Sequence, residues 1–206
     1  MRGVILGVAI LSGALFAGSS SAKAQPLTIV EVGAPAVNCV FRLNCIIPVS
    51  DSTGTIPLPL LATPGTAWLQ SRTYTGEAGA PAAGKTGYEY RISLTEASGK
   101  ADCIGGLVIN FGPVAKLPYK SGQMADVFVV TTGGLGTIGL KSATKTGDVI
   151  EFELAKPLCL DGPPNNANTT FFFGLAADTA PMASTAEVWA EGTPPVYSVA
   201  ARVPSH

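Results

Sequence analysis

Two glycine-rich segments have the letter patterns of nucleotide-binding loops. Residues 79–86 (GAPAAGKT) fit the phosphate-loop pattern G-x-x-x-x-G-K-S/T, and residues 134–139 (GLGTIG) fit the dinucleotide pattern G-x-G-x-x-G. Both patterns bind phosphate where a helix follows the loop, because backbone N–H groups at the helix start hold the phosphates. A strand-like segment follows the first loop, and the residues after the second are too few and too polar for a crossover helix. We therefore expect turns and no nucleotide cofactor.

The chain contains one histidine, His206, at its last position. Serine and cysteine hydrolases need a histidine held within hydrogen-bond reach of the nucleophile, and zinc hydrolases use histidine as their usual ligand. A terminal residue is poorly placed for either role. The sequence therefore disfavours most common hydrolase mechanisms and identifies no catalytic residue.

Acidic side chains are the remaining groups that could catalyse a reaction, because glycosidases need only two carboxyl groups at a set separation. The candidates are Glu89, Asp126, Asp148, Glu151 and Glu153. Glu151 and Glu153 alternate with apolar residues, which is typical of the solvated face of a strand. No pair is assigned, and a carboxylate-based, glycan-active enzyme stays an alternative function.

Calcium and sugars are two further ligands with candidate residues. Asp161, Asn165 and Asn166 share a loop, but one carboxylate is few for calcium and a turn explains the same residues, so we predict no metal site. Aromatic rings could stack on sugars, although those on an apolar strand face are better explained as core. The aromatic candidates are Trp68, Trp189, Tyr74, Tyr88, Tyr90 and Tyr119.

The four cysteines are Cys39, Cys45, Cys103 and Cys159. They have neither C-x-x-C nor cysteine–histidine spacing, so a zinc site is disfavoured and disulfides are expected. Three pairings are possible. We favour Cys39–Cys45 as a short clip over a loop and Cys103–Cys159 as the long-range bond.

The N-terminus has the three parts of a secretory signal peptide. A basic start at Arg2 precedes an apolar run over 4–18, and Ala22 and Ala24 form an A-x-A cleavage site. The alternative is an N-terminal membrane anchor. We predict a signal peptide over 1–24 and one secreted or periplasmic domain over 25–206. No later apolar run approaches the length of a membrane helix, so the mature chain is not expected to insert into a membrane.

Charge is low and scattered over the mature chain. Charged residues make up 13% of the sequence, and without Arg2 and Lys23 there remain 11 basic residues against 14 acidic ones. Phosphate recognition needs clustered lysine and arginine, so we expect no nucleic-acid partner. A surface of small polar residues is typical of exported bacterial proteins.

The dominant hydrophobic period is two, which predicts β-strands. In 88–95 the residues Tyr88, Tyr90, Ile92 and Leu94 share one face, and 149–154 repeats the pattern. Short strands separated by glycine and proline turns favour an all-β fold, an antiparallel two-sheet sandwich of immunoglobulin-like or jelly-roll-like type, with a barrel as the alternative. The segment 33–66 has five prolines and little alternation, so we predict a long loop there.

The function that these features favour is a non-enzymatic exported domain with a binding role or a structural role at a surface or in a matrix. Its partner is an unidentified ligand or protein, a glycan among the possibilities. The alternatives are the carboxylate-based enzyme and a subunit of an extracellular fibre or coat. An exposed aromatic or apolar patch would favour the binding domain, whereas the enzyme requires polar residues that converge in a concave pocket.

Overall fold

The computed structural model describes residues 22–119, 122–160, 168–192 and 196–205. These residues form two large sheets, a short hairpin and a helix. The elements are β1 Gln25–Pro26, β2 Ile29–Gly33, α1 Ala34–Phe41, β3 Ser50–Thr55, β4 Trp68–Thr75, β5 Thr86–Ser93, β6 Ile104–Asn110, β7 Leu117–Tyr119, β8 Gln123–Ala125, β9 Val127–Thr132, β10 Leu140–Thr146, β11 Val149–Leu158, β12 Phe172–Ala177, β13 Pro181–Ala190 and β14 Val196–Pro204.

The two large sheets each have six strands and pack face to face. The first, sheet A, has the order β1-β10-β11-β6-β13-β14, and the second, sheet B, has the order β2-β9-β12-β5-β4-β3. All neighbouring strands are antiparallel except β2 and β9, which are parallel. The described strands thus form two open sheets instead of one closed sheet, and the predicted two-sheet sandwich is confirmed.

Alternating apolar residues build the core between the sheets. Tyr88, Tyr90, Ile92 and Leu94 are fully buried on the inner face, as the sequence predicts. The buried rings keep their polar ends bonded: the Tyr88 hydroxyl donates to a backbone carbonyl at 2.8 Å and the Tyr90 hydroxyl to another at 2.7 Å. Sheet A contributes Phe152 to the same core, where it alternates with outward-facing glutamates as expected.

The prediction of a long loop over 33–66 is wrong, because this segment contains α1 and β3. Helix α1 has a proline in its first turn, and it buries only Val37 and Phe41, which are four residues apart. So short an apolar stripe gives little periodic signal. Strand β3 (SDSTGT) is an edge strand of polar and small residues paired with β4, and it has no apolar alternation to predict it.

A second layer covers the outer face of sheet B, the face that points away from the core. It consists of α1, residues 76–85 and the hairpin of β7 and β8. The ring of Phe41 meets the ring of Tyr74 edge-on, with centroids 4.7 Å apart. The buried apolar residues of this layer and the sheet face beneath it are Val32, Val37, Phe41, Tyr74, Ala82, Leu117, Ala125, Phe128, Val130, Phe172 and Ala176.

Two disulfides join the described cysteines in the pairing that the sequence favours. Cys39–Cys45 links the last turn of α1 to the loop that follows it, and Cys103–Cys159 links the residue before β6 to the residue after β11. The first bond therefore fixes the covering layer, and the second fixes two neighbouring strands of sheet A.

Some sequence predictions fall on residues outside the described ranges. Residues 1–21 of the predicted signal peptide lie outside them, as do His206 and the calcium candidates Asp161, Asn165 and Asn166. Over the described ranges no helix combines the length and apolar character needed to cross a membrane.

We predict that the two disulfides stabilise the fold unequally. Replacing Cys103 and Cys159 together by serine is expected to lower the free energy of unfolding by about 2–4 kcal/mol, because the bond restricts a long loop of the unfolded chain. The sequence separations are 56 residues for this bond and 6 for Cys39–Cys45. Replacing Cys39 and Cys45 together by serine should therefore lower the free energy of unfolding by less. Urea unfolding followed by circular dichroism measures both. A larger loss for the short loop would contradict the prediction.

Candidate functional site

A row of polar and charged residues crosses the outer face of sheet B. Asp51 on β3 lies opposite Arg72 on β4, and Arg72 lies opposite Glu89 on β5. Gly174 on β12 continues the row beside Glu89. Directly opposite residues on neighbouring strands have Cβ atoms about 5 Å apart, so these side chains interact.

Arg72 is held in a fixed orientation by two neighbours. Its Nε and Nη2 donate to the two carboxylate oxygens of Asp51 at 2.8 and 3.0 Å, and its guanidinium carbon lies 4.4 Å from the ring centroid of Phe172. The hydrogen bonds from Arg72 hold the pKa of the Asp51 carboxyl below its ordinary value. Its Nη1 has no acceptor in the part of the chain that the structure describes. One edge of a positioned guanidinium is therefore available.

Glu89 is buried although it lies on the outward face of its strand, with only 7% of its surface exposed. The sequence predicts the face correctly but not the second layer that covers it. The Tyr74 hydroxyl donates to its Oε1 at 2.8 Å. Burial raises the pKa of the Glu89 carboxyl, and Tyr74 and Arg72 only partly oppose this effect. Within the described ranges its Oε2 accepts no hydrogen bond.

Two glycines make room for the Tyr74–Glu89 pair. Gly87 lies opposite Tyr74, and a Cβ at this position would overlap the tyrosine ring. A Cβ at Gly174 would lie 2.5 Å from the carbonyl oxygen of Tyr88 and 2.7 Å from Cγ of Glu89. The two glycines thus leave the space that the Tyr74 ring and the Glu89 side chain occupy.

A cleft of about 390 Å³ opens above this pair, between α1 and residues 133–135; we call it the α1 cleft. Arg72, Tyr74 and Glu89 form its floor. The volume lies in the range of small-molecule sites, which combine apolar walls with a few polar groups. Its walls contain one polar side chain, Asn38, and the apolar residues Val37, Ile47, Val49, Val130, Leu135 and Phe172.

A second arginine lies next to the cleft floor. The guanidinium carbon of Arg91 is 4.9 Å from the ring centroid of Trp68 and 5.1 Å from that of Phe172, and its Nε donates to Gln70 at 3.1 Å. Among the described residues Arg91 forms no ion pair. When Glu89 is protonated, the two positive charges of Arg72 and Arg91 therefore exceed the single negative charge of Asp51.

The acidic residues that the sequence singles out do not share one site. Asp126 is buried, accepts a hydrogen bond from the backbone N–H of Thr28 at 2.8 Å and therefore helps to fix the chain between β1 and β2. Glu153 lies on the outer face of sheet A and pairs with Lys141 at 2.7 Å. Glu151 and Asp148 are exposed. Of the candidates, Glu89 alone lies in the α1 cleft.

Both glycine-rich motifs form connections between strands, as expected. Residues 79–86 form turns that run into β5, and Lys85 pairs with Asp178. Residues 134–139 connect β9 to β10, and Gly136 has a φ of 109° and lies where a Cβ would overlap the carbonyl of Thr170. Sequence reasoning missed a different role of this second connection, whose first residues form one side of the α1 cleft.

Other ligand candidates find less support in the geometry. Tyr88 and Tyr90 are core residues, as predicted, and Trp189 lies against Gly105 and Gly106 on the outer face of sheet A. Over the described ranges no three histidine, cysteine, aspartate or glutamate side chains come together in a way that could hold a metal ion.

Adding a methyl group at Gly174 is predicted to disrupt the cleft floor. Gly174→Ala should lower the free energy of unfolding by about 1–3 kcal/mol, because the Cβ meets backbone and the Glu89 side chain in a closely packed region. Gly139→Ala is the matched control, since its Cβ would meet nothing nearer than 3.8 Å. Urea unfolding compares the two. Equal losses of unfolding free energy in Gly174→Ala and Gly139→Ala would contradict the prediction.

Glu89 is predicted to make the protein less stable as pH rises. The folded chain keeps a proton on this carboxyl that the unfolded chain loses, so the free energy of unfolding falls from about pH 4.5 up to the raised pKa of the folded state. Glu89→Gln, which stays uncharged, should abolish this fall. Asp51 has a lowered pKa, so its contribution to stability is lost as pH falls below its ordinary pKa of 3.8. The effects of Glu89 and Asp51 on stability therefore occur in separate pH ranges.

Urea unfolding of the parent protein and Glu89→Gln between about pH 4 and about pH 8 measures this effect. Other titrating groups contribute equally to both proteins and cancel in the difference. Stability curves that stay parallel over this range would show that the carboxyl has no raised pKa.

Comparison with known proteins identifies no relative of this chain. No family model matches the chain, and neither a curated protein nor a solved structure matches it. The α1 cleft, with its apolar walls and its floor of Arg72, Tyr74 and Glu89, is therefore the feature from which function is inferred.

Proposed function

We propose that this protein is an exported, non-enzymatic binding protein that holds a small, partly apolar ligand in the α1 cleft. The observation that carries the proposal is the combination of apolar walls with a polar floor whose side chains are fixed and, at Tyr74 and Glu89, buried. Clefts of this composition and size are where proteins bind small molecules.

The floor offers hydrogen-bonding groups that are already oriented. Arg72 is fixed by Asp51 and Phe172, and Glu89 is fixed by Tyr74. Each keeps one atom, Nη1 of Arg72 and Oε2 of Glu89, without a partner among the described residues. Groups that are positioned before binding lose little conformational freedom when the ligand arrives, which favours affinity.

The mouth of the cleft carries exposed apolar side chains. Leu135 is 58% exposed and Val49 is 44% exposed, and both line the cleft. Clustered apolar side chains at the surface commonly mark binding sites, because exposing them to water is unfavourable. A ligand with an apolar body would cover part of this surface.

Export to the periplasm or the cell exterior is part of the proposal. Its support is the signal-peptide pattern of the N-terminus together with two disulfides, which persist in oxidising compartments. The scarcity of histidine favours binding over catalysis, as does the presence in the α1 cleft of one acidic candidate, Glu89, where a glycosidase needs two.

The alternative of a fibre or coat subunit would be favoured by a long unprotected edge strand. Strand β14 is a long edge strand of sheet A, but β3 and β4 of sheet B cover part of it. The backbone N–H of Arg202 donates to the Ser71 hydroxyl at 3.3 Å, and Gly54 lies against the backbone of Ala200. This edge therefore gives the fibre alternative no specific support.

The binding proposal is tested with anilinonaphthalene sulfonate, an apolar dye that fluoresces when it leaves water. The folded protein is expected to bind it saturably at one site. Val49→Trp, which fills the mouth of the cleft, should weaken binding about tenfold or more. Val149→Trp is the matched control, because Val149 has the same side chain and similar exposure, 42% against 44%, but lies on β11 of sheet A.

Near-ultraviolet circular dichroism of each variant shows whether its core packing is intact, since loosely packed states also bind this dye. Two results would reject the α1 cleft as a binding site. One is dye binding that does not saturate, and the other is an equal loss of affinity in the two tryptophan variants.

A further inference from the structure

We propose that the ligand of the α1 cleft is an organic acid with an apolar body, whose carboxylate is bound by Arg72; this inference rests on the binding function proposed above. The cleft itself gives the reasons. Three features support it: the free edge of the Arg72 guanidinium, the balance of charge around the cleft floor and the position of Glu89.

Arg72 presents its free edge where a ligand carboxylate could reach it. Two bonds to Asp51 and the ring of Phe172 fix the plane of the guanidinium, and Nη1 has no acceptor within the described residues. Hydrogen bonds between a guanidinium and a carboxylate are charge-assisted and shorter than neutral ones. Phe172 also lines the cleft, so an acid bound here would have its apolar body beside an aromatic ring.

The charge around the floor favours an anion over a cation. The ionisable side chains of β3, β4 and β5 that face Glu89 or flank it are Asp51, Arg72, Tyr74 and Arg91. Helix α1 contributes no ionisable side chain except Cys39, which is in a disulfide, and residues 133–135 contribute none. In residues 76–85 of the covering layer, Glu77 and Lys85 are paired with Arg42 and Asp178. With Glu89 protonated, a ligand carboxylate balances the second arginine, whereas an ammonium group would be repelled by both.

Glu89 is placed to act as a second donor. Its Oε1 accepts from Tyr74, and the side chain lines the cleft with Oε2 free of protein partners in the described ranges. When the carboxyl is protonated, Oε2–H can donate to the ligand carboxylate. When Glu89 ionises, its carboxylate and the carboxylate of the ligand repel each other. Affinity for the acid is therefore expected to fall as pH rises through the pKa of Glu89.

Three probes with the same apolar chain isolate the contribution of the head group. Octanoate, octanol and octylamine differ only in an anionic, a neutral or a cationic head, and each is small enough for a cleft of about 390 Å³. Isothermal titration at about pH 6 is expected to give octanoate an affinity about tenfold or more above that of octanol, with octylamine weakest.

A matched pair of variants tests the role of Arg72. Arg72→Gln and Asp51→Asn both remove the Asp51–Arg72 ion pair, but only the first removes the cation. Arg72→Gln should reduce octanoate affinity about tenfold or more and octanol affinity much less, whereas Asp51→Asn should bind octanoate at least as tightly as the parent. An equal loss in both variants would overturn the assignment, because breakage of the ion pair would then explain it.

Glu89→Gln tests the second donor. Its amide nitrogen can donate to a carboxylate at any pH, so octanoate binding should persist and no longer weaken as pH rises above the ordinary glutamate pKa of 4.5. In the parent protein the same rise in pH should weaken binding. Octanoate affinity that is independent of pH in the parent would overturn the role assigned to Glu89.

The results for the two proposals are distinguishable. Octanol or octylamine binding as tightly as octanoate would overturn the organic-acid inference while the α1 cleft still binds ligands. Binding of the dye but of none of the three probes would also overturn it. Absence of saturable dye binding would instead reject the binding function itself.

Discussion

A carboxyl group enclosed between a sheet and its covering layer imposes conditions on every residue near it. Glu89 must have a hydrogen-bond partner, because an unpaired polar group in the interior is costly. Tyr74 is that partner, and its ring needs the space that Gly87 leaves on the neighbouring strand. Glu89 in turn needs the space beside Gly174. The floor of the α1 cleft is therefore one unit, in which each side chain depends on the others.

The covering layer depends on a small number of attachments. Backbone N–H groups of Glu77 and Ala82 donate to the carbonyls of Phe41 and Val40 at the end of α1, at 3.0 and 2.9 Å. The Cys39–Cys45 disulfide then directs the chain from the helix into the loop that includes Ile47 and Val49. A helix of two turns has little stability of its own. These attachments and the apolar contacts of α1 keep the wall of the cleft in place.

The sequence was sufficient to predict the sandwich because period-two alternation is strong in β5 and β11. It also indicated the side of the strand on which Glu89 lies. It could not indicate burial on that side, because alternation separates two faces without showing what packs on each. Strand β3 and helix α1 escaped prediction for related reasons, since one is polar throughout and the other buries two side chains. Gly174, within an otherwise apolar strand, was a signal of close approach that could have been read.

The two tryptophans of the chain lie on opposite outer surfaces of the sandwich. Trp68 stacks near Arg91, which also contacts the cleft residue Phe172, whereas Trp189 lies against the glycines of β6 in sheet A. Indole emission responds to charge and polarity close to the ring. A ligand that displaces Arg91 is therefore expected to change the emission of Trp68, whereas Trp189 on the opposite surface is an internal reference. Occupancy can be followed without a label once the two emissions are separated by replacing either ring with phenylalanine.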